Sequence, residues 1–244
     1  ITEAHVPGAV LMERAGEGIV RHLEQRYGPL RGKRVTILCG KGNNGGDGLV
    51  VARLLHRRRA LVHVVLLTPM TDLSRDTAVM YRRFVRVAGR TAIVRFRSAD
   101  QMKPLLASSD FLVDALLGTG LSSVVTGPYR EAIDLMNSAG KPIVAIDIPS
   151  GLHADSGAIL GQAVRATLTI ACGLPKLGCY VDAGIDRAGA ILVADIGIPP
   201  AYVEAIESRT LLLTSDSAFQ SLPERRPSSH KGTFGHAGII AGSV

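Results

Sequence analysis

Tryptophan is absent from this 244-residue chain, and aromatic residues together make up 4%. A stacking platform for single-stranded nucleic acid is therefore poorly supplied. Cysteine is scarce. Cys39, Cys172 and Cys179 are widely spaced, form no C-x-x-C pair and sit in no His-rich metal spacing. This excludes a small disulfide scaffold and a zinc ribbon. It suits buried or incidental thiols in a reducing cytoplasm. Long apolar runs are missing too. Segments such as Val64–Leu67 and Ala190–Ala194 are strand-sized, whereas a membrane span needs about 18 apolar residues. No basic stretch followed by an apolar one opens the sequence, so no secretory signal is expected. Lysine is rare, with 6 residues against 22 arginines.

What is present is a globular composition. Hydrophobic residues reach 46%, too many for a disordered chain. The length suits one large domain, or one plus part of another. The net charge of +7 is uneven: residues 1–100 carry +10 and residues 101–244 carry −3. A basic chain invites a nucleic-acid reading. The arginines, however, are scattered over several expected helices, and the one cluster, Arg57-Arg58-Arg59, reads as a solvated helix face. No nucleic-acid partner and no membrane partner are expected. The oligomeric state is left open.

Apolar periodicity sets the organisation. Residues 9–26 read as a helix ended by Gly28-Pro29. Val35–Cys39 reads as a strand, Asp47–Arg58 as a helix, Leu61–Leu67 as a strand and Leu73–Val87 as a helix. A strand at Ala92–Phe96, a helix at Ala99–Ala107 and a strand at Phe111–Leu117 follow. A helix at Pro128–Ser138, with proline suited to its first turn, leads to a strand at Pro142–Ile148. Beyond residue 151 strands are expected at Ala166–Ala171, Ala190–Ile196 and Leu211–Thr214, with a short helix at Pro199–Ile206. The alternation predicts an α/β fold: a Rossmann-like three-layer αβα sandwich on a mostly parallel sheet. Residues 1–214 form the expected domain and 215–233 a polar linker. The run Ala237–Ala241, within residues 234–244, reads as the first strand of a second, truncated domain.

In such sheets ligands bind outside the carboxyl ends of the strands, and four strand ends here carry unusual residues. The first is Gly40-Lys41-Gly42-Asn43-Asn44-Gly45-Gly46-Asp47-Gly48. Its glycines suit tight turns and close backbone approach to a ligand. Gly40, Gly42 and Gly45 formally spell G-x-G-x-x-G, but the next strand ends Leu67-Thr68-Pro69 with no ribose-reading acid, so a standard dinucleotide mode is not expected; nor is it a Walker loop, since no G-K-[ST] occurs. The second is Asp114, an acid inside an apolar strand, which is costly to bury unless paired or bound to a cation. The third is the loop Gly118-Thr119-Gly120-Leu121-Ser122-Ser123-Val124. The fourth is Asp147-Ile148-Pro149-Ser150-Gly151, which is not the G-x-S-x-G elbow of a serine hydrolase. Asn44, Asp114 and Ser150 offer oxygen ligands with one firm negative charge, which suits a weakly charged hard cation such as K⁺. Asp147 remains as a candidate acid/base.

G-K-G-N-N-G-G-D-G, V-D-A-L-L-G-T-G and A-I-D-I-P-S-G together resemble the YjeF N-terminal family of NAD(P)H-hydrate epimerases. Leu11-Met12-Glu13-Arg14-Ala15-Gly16 resembles that family's first-helix motif, and Val193–Pro199 its late strand. The resemblance covers about residues 1–206. Ser229–Gly235 is similar to the start of the ADP-dependent, ribokinase-like NAD(P)H-hydrate dehydratase that often follows the epimerase in bacteria. The resemblance implies epimerisation of the R and S forms of hydrated NADH and NADPH (NADHX and NADPHX) at ring C6, with a fused dehydratase as partner. It implies that Asn43, Asn44, Gly45, Gly46, Asp47, residues Gly118–Val124 and Asp147 bind this substrate. It assigns K⁺ to Asn44, Asp114 and Ser150. Some relatives carry a lysine or a bulky aromatic where this chain has Leu121, Ser122 and Ser123, so Lys176 is weighed as a second polar group. The competing class is a non-catalytic nucleotide- or RNA-binding module on the same fold.

Overall fold

The structure is a computed structural model and describes residues 6–206, 210–223, 226–236 and 238. Seven parallel strands form one sheet in the order β3-β2-β1-β4-β5-β6-β7. They are β1 (Arg34–Cys39), β2 (Leu61–Leu66), β3 (Ile93–Arg95), β4 (Phe111–Ala115), β5 (Ile143–Ile146), β6 (Leu168–Cys172) and β7 (Ala190–Ala194). Helix α1 (Gly8–Tyr27) precedes β1; α2 (Asn43–Arg57) and α3 (Arg75–Ala88) join β1 to β2 and β2 to β3. Helices α4 (Ala99–Ala107) and α5 (Gly127–Ser138) lead into β4 and β5, and the short α6 (Gly184–Ala188) precedes β7.

Successive strand residues point to opposite faces, and the core divides accordingly. Ile37 and Cys39 of β1 pack with Ile19, Leu23, Leu49 and Phe84 from α1, α2 and α3. Leu38, between them, packs with Met102, Leu106, Ile133 and Met136 from α4 and α5. These are the two outer layers of the αβα sandwich. The order in which strands are added to the sheet reverses between β1 and β4. The connections from these two strands leave toward opposite faces, and a crevice opens at their carboxyl ends, where such sheets bind ligands.

Local features fix the loops there. Ser74 caps α3 by accepting from Thr77 N at 3.3 Å, a typical N-cap bond. The Ser74 N–H donates to Lys41 O at 2.9 Å, and Thr77 Oγ1 donates to Gly42 O at 2.9 Å. Helix α3 thus clamps the glycine loop after β1. On the back of the sheet Arg53 is buried and pairs with Glu13, which also meets Arg83 at 2.8 Å.

Several expected boundaries shift. Helix α2 begins at Asn43, four residues before the expected Asp47, because burial between α1 and the sheet overrides the poor helix propensity of Asn and Gly. The strand expected at Leu211–Thr214 is not formed: Leu211–Leu213 have no strand partner and are exposed, Leu211 by 87%. The apolar run at 237–241 falls, Gly238 apart, outside the described residues. The chain divides into a compact unit ending at Ile198 and a smaller one from Pro199. The second unit holds α7 (Pro200–Glu204) and α8 (Ser215–Gln220), the latter closed by a capping box on Thr214 and Ser217.

Candidate functional site

A cavity of about 540 Å³ opens at the carboxyl ends of β1, β4 and β5. Its wall includes Lys41, Gly42, Asn43, Asn44 and Asp47 from the first loop and the start of α2, Gly118–Ser123 from the loop after β4, and Asp147. Gly45 and Gly46 lie buried beneath this surface, and Val124, 62% exposed, lies outside the lining. Lys41, Gly42, Leu116 and Leu117 join the wall without having been singled out; Lys41 and Gly42 stood within the glycine-rich segment.

The glycines divide by task. A Cβ on Gly45 would meet Gly40 O at 2.0 Å, so this glycine permits the chain to pack against itself. A Cβ on Gly42 would meet no protein atom, and Gly42 faces the cavity. The close approach expected toward a ligand is thus available at Gly42, while Gly45 serves the fold. Beside Gly42, α2 presents its first-turn N–H groups, which lack intrahelical acceptors and favour an anion.

Behind the loops, Asn44, Asp114 and Ser150 come together. Asp114 is fully buried and accepts from Ser150 N at 2.8 Å, Ser150 Oγ at 2.6 Å and Leu116 N at 3.2 Å. Burial raises its pKa to about 6, against the lowering effect of these bonds. Ser150 Oγ accepts from Leu117 N at 2.8 Å. Asn44 Nδ2 donates to Leu117 O at 2.9 Å, but Asn44 Oδ1 is buried with no hydrogen-bond partner. Leu117 links the two sides, Asn44 Nδ2 and Ser150 Oγ both lying within hydrogen-bond distance of its carbonyl, and uncharged oxygens with one carboxylate are the donor types that suit a hard cation.

Asp147 is built differently. Its φ is +70°, and Ile148 N–H donates to Ile146 O at 2.9 Å across it. An i to i+2 bond around a left-handed residue is a γ-turn, a rare and strained conformation for a side chain other than glycine. The turn is held because Asp147 N donates to Ile170 O at 2.9 Å and Asp147 Oδ1 accepts from Cys172 N at 3.0 Å. Lys176 Nζ lies 2.5 Å from the same carboxylate oxygen. It also donates to Cys172 O at 2.8 Å and Leu174 O at 2.9 Å, so all three ammonium donors are used. The two side chains are only 17% and 16% exposed. Lys176 therefore belongs to the site and is no solvated surface lysine. Asp47 faces the same cavity, and its pKa rises to about 8, first by burial and second by the negative charge of Asp147, with Lys176 partly opposing.

The fold is a doubly wound α/β sheet that sets a glycine-rich loop after its first strand and a strained acid after its fifth on one cavity. The profile of the YjeF-related protein N-terminus family matches residues 8–178. The chain belongs to this family. The bifunctional NAD(P)H-hydrate repair enzyme Nnr of Moorella thermoacetica is 39% identical over 99% of this chain, and that of Salinibacter ruber 41% over all of it. The chain spans about half the length of these curated relatives, 46% and 47%. The NAD(P)H-hydrate epimerase of Oenococcus oeni is 38% identical over 81% of this chain and 90% of its own. The crystal structure of yeast ynu0, YNL200c, shares the fold with a TM-score of 0.69 at 21% identity, covering 85% of this chain and 90% of its own. Among the described residues no helix is long and apolar enough to cross a membrane.

Proposed function

We propose that this chain interconverts the R and S forms of NADHX and NADPHX at ring C6, feeding an S-specific dehydratase carried by the remainder of a longer protein. The observation that carries the reading is the strained, lysine-paired Asp147 lining one cavity with Asp47 and the start of α2. The Oenococcus oeni relative, named an epimerase and covered over 90% of its length, supports it.

The iminium route needs a proton placed on the leaving hydroxyl and withdrawn from the returning water; ring opening needs the hydroxyl proton withdrawn and one placed on nitrogen as the C6–N bond breaks, with both steps reversed on closure. The hydroxyl at C6 sits beside the ring nitrogen. The centre inverts when the C–O bond breaks to an iminium, or when the ring opens, and the bond re-forms on the other face. Asp47, with a pKa of about 8, is protonated at neutral pH and is the donor. Asp147, held by Lys176 and Cys172 N, presents a carboxylate that receives the proton and offsets the positive charge of an iminium. Such acid–base help is worth roughly 10²–10⁴-fold. The pyrophosphate rests on the first-turn N–H groups of α2 with Lys41 beside them.

Asn44, Asp114 and Ser150 would hold K⁺, with Leu117 O alongside. When bound, the ion supplies fixed positive charge behind the substrate loops. The orphaned Asn44 Oδ1 supports this assignment. The three cysteines, all free, agree with a reducing cytoplasm.

The deciding experiment supplies the R epimer alone and follows the S epimer by chromatography. Appearance of S faster than the spontaneous rate is expected; an unaccelerated rate with folded protein would overturn the reading.

A further inference from the structure

A second cavity, of about 220 Å³, lies past the carboxyl end of β2 and alongside β3 and the turn before it, and takes no part in the proposed chemistry. Arg90, Arg95, Thr68, Thr71 and Tyr81 contribute to its wall, and none of its lining residues is acidic. Among the described residues neither guanidinium has an ion pair, and Thr68 Oγ1 is buried with no hydrogen-bond partner. The acid next in sequence, Asp72, is engaged by Thr71 Oγ1 at 2.9 Å. Two uncompensated positive charges beside an unsatisfied hydroxyl form an environment for an anion.

The sheet places this cavity in line with the first one. Cys39 of β1 is in register with Leu66 of β2, and Leu66 with Arg95 of β3. Neighbouring strands are about 4.8 Å apart, so Arg95 lies roughly 10 Å along the sheet edge from the start of the glycine loop. A dinucleotide with its pyrophosphate on α2 and its reduced ring at Asp147 has its adenosine half free to run this way. In doubly wound sheets the ribose lies at the end of the second strand, where an acid reads a 2′-hydroxyl and an arginine accommodates a 2′-phosphate. Here that strand is followed by Leu67-Thr68-Pro69, and the charges nearby are arginines.

We infer that Arg90, Arg95 and Thr68 form a phosphomonoester subsite that receives the 2′-phosphate of the adenosine half, so that the chain favours NADPHX over NADHX. The inference rests on the epimerase reading for its substrate. Its test compares the 244-residue chain with the Arg90→Ala/Arg95→Ala double variant on both substrates. The variant is expected to lose about 10–100-fold in kcat/KM for NADPHX, the scale of lost charge-assisted hydrogen bonds, and less than about 2-fold for NADHX. Equal losses on both substrates, or none, would overturn the subsite while leaving the epimerase intact. Should neither substrate turn over, the epimerase reading fails, and calorimetry decides the subsite by itself. Adenosine 2′,5′-bisphosphate is then expected to bind more tightly than adenosine 5′-monophosphate, with the difference gone in the double variant. Equal binding of the two nucleotides overturns the subsite. Inorganic phosphate binding as tightly as the bisphosphate also overturns it, because the pocket would then be a site for the free anion.

Discussion

Asp147 and Asp47 are two carboxyl groups in one cavity with opposite surroundings. Asp147 is paired with Lys176 and accepts from Cys172 N, whereas burial and the neighbouring negative charge push the Asp47 pKa up. The raised pKa makes Asp47 the proton donor of the scheme and leaves Asp147 as the acceptor. With the Asp47 pKa raised to about 8, its proton is present below that pH and lost above it. The rate is therefore expected to fall above about pH 8, and Asp47→Asn to lose most turnover along with that alkaline limb, read from the pH dependence of kcat/KM. The raised value also has a linkage sign. Folding holds this proton more tightly than the unfolded chain does, so the stabilisation is complete below about pH 4 and lost as pH rises through about 8. Asp47→Asn is expected to raise the urea midpoint relative to the parent chain more at pH 9 than at pH 5.

Lys176 is a positioning residue in this scheme, since its three donors end on Asp147 and two carbonyls. Lys176→Met leaves the carboxylate without its counter-charge and the γ-turn with one support fewer. The expected result is a drop in kcat of about 10–100-fold with a smaller change in KM, the pattern of a group that matters most in the transition state. A proportional rise in KM with kcat preserved would place Lys176 in substrate binding instead.

At the scale of elements, the glycine loop and α2 show two uses of one residue type. Gly42 leaves open space at the cavity, whereas Gly40 and Gly45 let backbone approach backbone: a Cβ on Gly40 would meet Leu116 O at 1.9 Å. Gly45→Ala is expected to destabilise the chain by about 3 kcal/mol, at the upper end of ordinary substitutions, because backbone atoms must shift to admit the methyl group. Gly42→Ala is expected to stay within about 1 kcal/mol. Urea denaturation of both variants checks the contrast. The elements themselves were largely legible. Apolar periodicity located every strand of the seven-stranded sheet, because buried parallel strands are short apolar runs. The start of α2 was not legible. Asn43-Asn44-Gly45-Gly46 has weak helix propensity, and only packing against α1 and β1 makes it helical. At Leu211–Leu213 the opposite error arose: an apolar run suggested a strand, but no neighbouring strand is there to pair with it.

At the scale of the molecule, the uneven charge has a structural meaning. Part of the positive first hundred residues is neutralised locally, as where Arg58 Nε meets Glu24 at 2.7 Å and Glu13 gathers Arg53 and Arg83. The remainder includes Arg90 and Arg95 at the β2–β3 edge. The less basic part of the chain contributes Asp114 and Asp147 at the sheet's carboxyl edge. A cation held by Asn44, Asp114 and Ser150 would tie the start of α2 and the end of β4 to the turn after β5, and so stabilise the folded state by mass action. Replacing tetramethylammonium chloride by KCl at constant ionic strength is therefore expected to raise Tm by a few degrees, and Asn44→Ala to abolish the difference. A Tm indifferent to the cation would remove K⁺ from the site.

The sequence by itself determined the alternation of strands and helices, the family, and the four strand ends where chemistry gathers, because period and glycine placement are local properties. It did not determine what each residue in those segments does. Gly45 and Gly42 look alike in sequence, Lys176 is a lone charge among glycine, leucine and cysteine, and Thr68, Arg90 and Arg95 lie in the loop after β2, the turn before β3 and β3 itself. Parallel register brings those segments level, and burial decides which side chains lose water. Those two effects turn Asp47 into an acid, leave Asn44 Oδ1 unpartnered and set two arginines beside one hydroxyl. They depend on contacts far apart in sequence, so only the tertiary structure could decide them.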